Sequence, residues 1–260
     1  MSPLHSSRTK INRANKHLAD FQVLLDAFAS RDPYRTVTDE HSEPAIKIFR
    51  VKIHEEIPAE FSGIIGDTVH NLMSALDSLA MSLVTHANIE PVTEEVMRET
   101  YFPIGWEPGF SGAKNARFFK RIGPAAEKIV RGLQPYKGGL HNDLFRLWRL
   151  DIIDKHRAII PVAGDLASEA YTTIVEGEQV VIRDGKPVAR RFPIKDGDEI
   201  ARTVFHQREY YAHAHFAFQI AFAEGQIFEG DPVAPTLRQL LNLVEGVIDI
   251  FARDVFKTDW

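Results

Sequence analysis

The 260-residue chain sets 31 Lys and Arg against 36 Asp and Glu, is 44% hydrophobic and contains no cysteine. That apolar share belongs to a folded protein with a sizeable core and excludes global disorder. The missing thiols exclude disulfides, thiolate nucleophiles, Cys-ligated zinc and iron–sulfur clusters, so any chemistry rests on His, carboxylates, hydroxyls, Lys or Arg.

In chain order, Ile11, Ala14, Leu18, Phe21, Leu24, Leu25 and Phe28 recur at helical spacing and predict an amphipathic helix from Thr9 to Ser30. After a polar stretch, Ala45 to His54 mixes apolar and charged residues in strand fashion. Pro58 opens a second helix, Ala59 to Thr85, with Phe61, Ile65, Val69, Leu72, Leu76, Leu79 and Leu83 on one stripe. A second stripe on this helix, Gly63, Asp67, His70, Ser74, Asp77 and Met81, is small and polar, unlike an ordinary Lys/Glu-rich solvated face. Pro91 to Pro135 is broken by Pro and Gly, so that only short helices fit, the clearest being Pro124 to Leu133.

His141 to Arg157 is apolar around nearly its whole circumference, as a buried helix is. The period then changes to two. Residues 158 to 164, YTTIVEG, QVVIRDGKPV and Ala212 to Phe222 read as strands, with Asp-Gly turn signals at 184/185 and 196/197. A long amphipathic helix, Thr236 to Phe256, closes the chain. The expected architecture is one α+β domain over residues 1–260. Its helical core would comprise 9–30, 59–85, 124–157 and 236–256, with a β-rich insertion over about 158–223. The N-terminal MSPLHSSRTK lacks a signal-type apolar region, and no stretch approaches the roughly 18 apolar residues of a membrane span. A cytoplasmic setting without a membrane partner is therefore expected.

Two polar clusters lie on otherwise core-like helices. One is Asp67, His70, Asn71, Ser74 and Asp77; the other is Asp151, Asp154, Lys155, His156 and Arg157. Asp151 and Asp154 continue the stripe of Leu144 and Leu147, so their carboxylates need cations or hydrogen-bond donors such as Arg149, Lys155, His70 or Asn71. Such a constellation fits a structural network that fixes helix register, and it fits equally a polar pocket between helices. Asp67, His70, Asp154 and His156 carry N and O donors for a divalent metal, although no Glu-x-x-His or His-Glu-x-x-His pattern accompanies them. His213 and His215 project to one face of a strand and offer a further half-site, which an exposed polar strand face explains more simply.

The net charge of −5 hides a basic window. Lys114, Arg117, Lys120, Arg121, Lys128, Arg131 and Lys137 face only Glu127 between them, and Phe118, Phe119 and Tyr136 are interleaved. The pattern suits a phosphate backbone or stacking on single-stranded bases, and it suits a solvated basic loop balancing an acidic surface.

The strings GDTVHNLMSALDSLA (66 to 80), FPI (102 to 104), LQPY (133 to 136) and LDIIDKHR (150 to 157) resemble, in the same order, the blocks of a bacterial family of uncharacterised proteins. There they read approximately GDxLHNLRSALDHLAW, FPI, LQPY and LDNIDKHR. The RSALDH string of those relatives in turn resembles the R-x4-H signature of HEPN domains. These are helical bundles, many of which are dimeric, metal-independent ribonucleases. The resemblance implies a HEPN-like antiparallel bundle, a homodimer, single-stranded RNA as partner and no cofactor.

Here the signature positions are Met73 and Ser78, so both members of that pair are absent. Arg149 and His156 form an R-x6-H pair on one helical face and supply a substitute, although Arg35/His41 and Arg208/His213 fit the same loose pattern. The resulting expectation has His156, Arg149, Asp154, Asp151 and His70 as catalytic groups and Asn71, Lys155, Arg157, Lys120 and Arg121 as substrate contacts. The alternatives are a metal-dependent hydrolase using Asp67, His70, Asp154 and His156, and a non-enzymatic interaction module.

Overall fold

A computed structural model describes residues 2–39, 46–108, 110–157, 159, 161–176, 179–184, 193–204 and 210–258. The fold is α+β. The chain divides into two compact units, the first comprising Met1–Phe21, Ser62–Ile159 and Ala234–Trp260, the second Gln22–Phe61 and Ile160–Val233. The expected β-rich insertion falls in the second unit and most of the helical core in the first. The first helix contributes residues to both.

The first unit holds the start of α1 (His5–Ala29), nearly all of α2 (Glu60–Ala87), then α3 (Glu94–Glu99), α4 (Ala113–Leu133), α5 (Asn142–His156) and α6 (Val233–Phe251). The apolar stripe of α2 is buried as its period predicts, from Ile65 through Val69, Leu72, Leu76 and Leu79 to Leu83. Each fully buried Leu or Val of this kind contributes about 1.5–3 kcal/mol of burial free energy. Leu237, Leu240, Leu241, Val244, Val247, Ile248 and Phe251 give α6 a matching buried stripe. Polar contacts fix the start of α1 to α6, because Arg8 pairs with Glu245 and Asp249 while the Arg238 guanidinium donates to Asn15 Oδ1 at 2.6 Å. A π-helical turn, Ala252–Phe256, ends the helix, and the Phe256 ring meets the His86 ring edge to face.

Two elements of this unit differ from expectation. The Pro/Gly-rich region contains α3, capped by the Thr93 hydroxyl, which accepts from the Val96 N–H. It also contains the whole of α4, which begins eleven residues earlier than the short helix expected from Pro124. Gly123 is the reason. It takes φ +76° and ψ 168°, so the chain kinks there and resumes at Pro124, whose missing N–H matters little at a first-turn position. Phe118, Ile122, Ala126, Val130 and Leu133 keep one buried face across the kink.

In the second unit β1 (Tyr34–Thr38), β2 (Ile46–Ile53) and β5 (Glu199–Val204) form one antiparallel sheet in the order β1-β2-β5. A second antiparallel sheet has the order β4-β3-β6, from β3 (Pro161–Glu176), β4 (Gln179–Asp184) and β6 (Tyr210–Phe222). The two strands expected over 158–164 and 171–177 are one continuous strand, and a register shift between Asp165 and Ala167 absorbs the residue that breaks the alternation. Phe28 meets Tyr34, Phe61 and Phe218 edge to face at centroid distances of 6.2, 5.7 and 6.2 Å. The Asp-Gly signal at 196/197 is a turn with Gly197 at φ +83°, held because Asp196 accepts from the Ile53 N–H and Lys52 Nζ. The signal at 184/185 and the side chains of His213 and His215 lie outside the described residues. No described helix is long and apolar enough to cross a membrane.

Candidate functional site

The polar stripe of α2 and the polar end of α5, both in the first unit, come together. Asp151, whose side chain is only 3% exposed, accepts from Lys155 Nζ at 2.5 Å through Oδ2 and faces His70 Nδ1 at 3.3 Å through Oδ1. Lys155 stands four residues after Asp151 on the same helix, a spacing that stacks the two side chains, and its charge suits the last turn of α5. A buried carboxylate thus has two partners whose outer portions reach solvent, since His70 is 52% and Lys155 53% exposed. This arrangement limits the desolvation cost that an isolated buried charge carries.

His70 Nε2 lies 3.4 Å from Ser74 Oγ, one turn further along α2. The connectivity Asp151, His70, Ser74 is that of an acid–base relay, with the carboxylate orienting the imidazole and the second nitrogen directed at a hydroxyl. Ser74 stands within α2, where backbone N–H groups are engaged in helical hydrogen bonds and supply no oxyanion hole. The arrangement therefore suits proton transfer by His70 to or from an incoming group better than acyl transfer through Ser74.

Gly66 leaves room for the Asp154 carboxylate. A β-carbon there would overlap all three atoms of the Asp154 carboxylate group. Burial, followed by the charges of Asp151 and Asp67, raises the Asp154 carboxyl above its ordinary range, opposed by His70 and Lys155. Asn71 donates back to the Asp67 carbonyl at 2.8 Å, a local bond within α2 rather than a free contact for substrate. At the other end Asp77 accepts from the Phe102 N–H at 3.0 Å and so ties the FPI segment to α2. Burial pushes the Asp77 carboxyl up to about 6, against the opposing pull of that N–H and of Lys155.

The substitute pair is arranged differently. Arg149 lies over the Trp106 ring, its Cζ 5.0 Å from the centroid, and His156 is exposed at the last residue of α5. Among the described residues no hydrogen bond or ion pair joins these two side chains to each other or to Asp151 or Asp154. The helical spacing places Arg149 around the circumference from the buried Asp151, toward the aromatic side of α5. Arg157, one residue past the helix, is likewise exposed. No group of three or more His, Asp and Glu among the described residues is arranged to hold a metal ion, so Asp67, His70, Asp154 and His156 do not close into a ligand set.

The arginines of the basic window are engaged within the protein. Arg121, almost buried, pairs with Glu90 and Glu99, and Arg117 pairs with Glu99. Arg131 pairs with Glu127 and lies over Phe119, its Cζ 4.3 Å from the ring centroid. Phe118 and Phe119 are buried, and Tyr136 packs edge to face against Phe110, so the window's Phe pair belongs to the core and is closed to bases. Arg121 is correspondingly a structural cation, whereas Lys120 is exposed.

Sequence reasoning overlooked Trp106, which is 52% exposed and has Lys137 and Arg149 over its ring. Its signal was the FPIGW string followed by the aromatics of α5, a pattern that marks aromatic clustering but not exposure.

The fold and site together define an α+β protein with an interhelical His/Asp/Lys cluster. No family model, curated protein or solved structure matches the chain.

Proposed function

We propose that the chain is a HEPN-like protein that cleaves single-stranded RNA without a metal, with His70 in place of the absent signature pair. The observation that carries the reading is the relay of buried Asp151 to His70 Nδ1, which leaves Nε2 beside a hydroxyl at a half-exposed position. In this mechanism His70 removes the proton of an RNA 2′-hydroxyl, and that oxygen attacks the adjacent phosphorus as the bond to the 5′-oxygen breaks. The 5′-oxygen leaves with a proton from water, and the product is a 2′,3′-cyclic phosphate. Lys155 offsets charge developing on the phosphate, and Asp151 holds the imidazole. By the same resemblance the protein is a homodimer in the cytoplasm; sizing at two concentrations tests the dimer.

Cleavage is tested with end-labelled single-stranded RNA in EDTA. The expected result is cyclic-phosphate ends with the wild-type chain, a loss of at least a hundredfold in rate with His70→Ala, and little change with His156→Ala. RNA left intact by the wild-type protein overturns the reading. A second reading, a non-enzymatic interaction module, draws on the burial of Asp151, which is what a structural network requires. It predicts that Asp151→Asn lowers thermal stability while no RNA-cleaving activity is found in any variant.

A further inference from the structure

We infer that Trp106, with Lys137 and Arg149 over its ring, is a stacking platform for a base of single-stranded nucleic acid, and this rests on the RNA-directed reading above. The indole is half-exposed. Phe145 and Trp148 stand nearly perpendicular to it, at interplanar angles of 72° and 80° and centroid distances of 4.9 and 6.4 Å. Neither ring stacks parallel on Trp106; what lies over the indole is the ends of the Lys137 and Arg149 side chains, which an incoming base displaces toward its own phosphates. The loop is fixed as well, because Gly105 N–H donates to the Pro135 carbonyl and Lys137 N–H to the Gly105 carbonyl, both at 3.2 Å.

The two cations give the platform its sign. Lys137 Nζ is 5.6 Å and Arg149 Cζ 5.0 Å from the Trp106 centroid. The arginines of the basic window, Arg117, Arg121 and Arg131, are matched by glutamates, whereas no described carboxylate pairs with Lys137 or Arg149. Two cations over an exposed aromatic ring, neither paired with a described carboxylate, supply what a nucleotide requires once their ends swing aside: a π-face for the base and positive charge for the flanking phosphates. Stacking is indifferent to base identity, so the expected ligand is a single strand with little sequence preference.

The test is fluorescence anisotropy of a labelled ten-nucleotide deoxyadenylate strand with the full chain in EDTA. Such a strand lacks the 2′-hydroxyl, so binding is read independently of cleavage. Trp106→Ala is expected to weaken binding by about tenfold or more, and Trp106→Phe, which keeps an aromatic face, to restore most of it. Lys137→Gln and Arg149→Gln are each expected to reduce the slope of log affinity against log salt by about 0.7. Binding of the DNA by a protein that leaves RNA intact retains the platform and removes the cleavage reading. Three results overturn the platform: no binding by the wild-type chain, equal binding by Trp106→Ala, or equally tight binding of an abasic strand or of polyglutamate.

Discussion

Burial raises the Asp77 carboxyl to about 6 from an ordinary 3.8, so the folded protein holds this proton more tightly than the unfolded chain. Between those values the native state binds more protons, and stability contributed by the group is full below about pH 4 and is lost as pH rises through 6. The shift corresponds to about 3 kcal/mol between the two limits. Asp77→Asn keeps an oxygen for the Phe102 N–H and removes the titration. The variant is expected to be more stable than wild type at pH 7 and to show a flatter stability profile between pH 4 and 6 in urea titrations. A wild-type profile that already lacks this fall would refute the assignment. Gly66 gives a second prediction at this scale, because an added methyl meets the Asp154 carboxylate. Gly66→Ala should cost about 1–3 kcal/mol, and Asp154→Ala in that background should recover most of it. Equal losses in the single and double variants would show that the cost does not come from overlap with Asp154.

Among the elements, the long helices were legible because their apolar stripes are deep and periodic, and α2 and α6 bury the residues the spacing selects. The convergence of His70 with Asp151 and Lys155 was legible too, since carboxylates continuing an apolar stripe must find partners. What escaped depends on tertiary context. β1 and β5 are short and carry charged residues, and each becomes a strand by pairing with β2. Arg149 was expected at the carboxylates because it is a cation nearby in sequence, yet the helical turn directs it to Trp106, while four-residue spacing selects Lys155. The kink in α4 hid half a helix, because Gly-Pro reads locally as a stop. Gly123 has open space for a β-carbon, with Ile89 at an ordinary 3.7 Å, so substitution there is resisted by backbone conformation alone. Gly123→Ala should therefore destabilise by about 1–3 kcal/mol in equilibrium unfolding without any packing change. A neutral effect would mean that α4 straightens at no cost.

At the scale of the whole molecule, the first unit is assembled from three separated stretches of chain, and the last of them supplies the buried face of α6. A chain ending at residue 232 leaves the partners of that face exposed. It should lose cooperative unfolding and most near-ultraviolet circular dichroism; a truncated chain that melts as wild type would place α6 outside the core.

The same interleaving sets a timetable during synthesis. The ribosome makes α1, β1 and β2, then α2 to α5, then β3 to β6, and only afterwards the helix that completes the first core. The second unit has its whole sequence available earlier, by Val233. Its folding can begin while the apolar faces of the first unit still await their last partner. The His70–Asp151 site is thus carried on a unit whose core closes only once α6 has been made, and until then its apolar faces are open to aggregation.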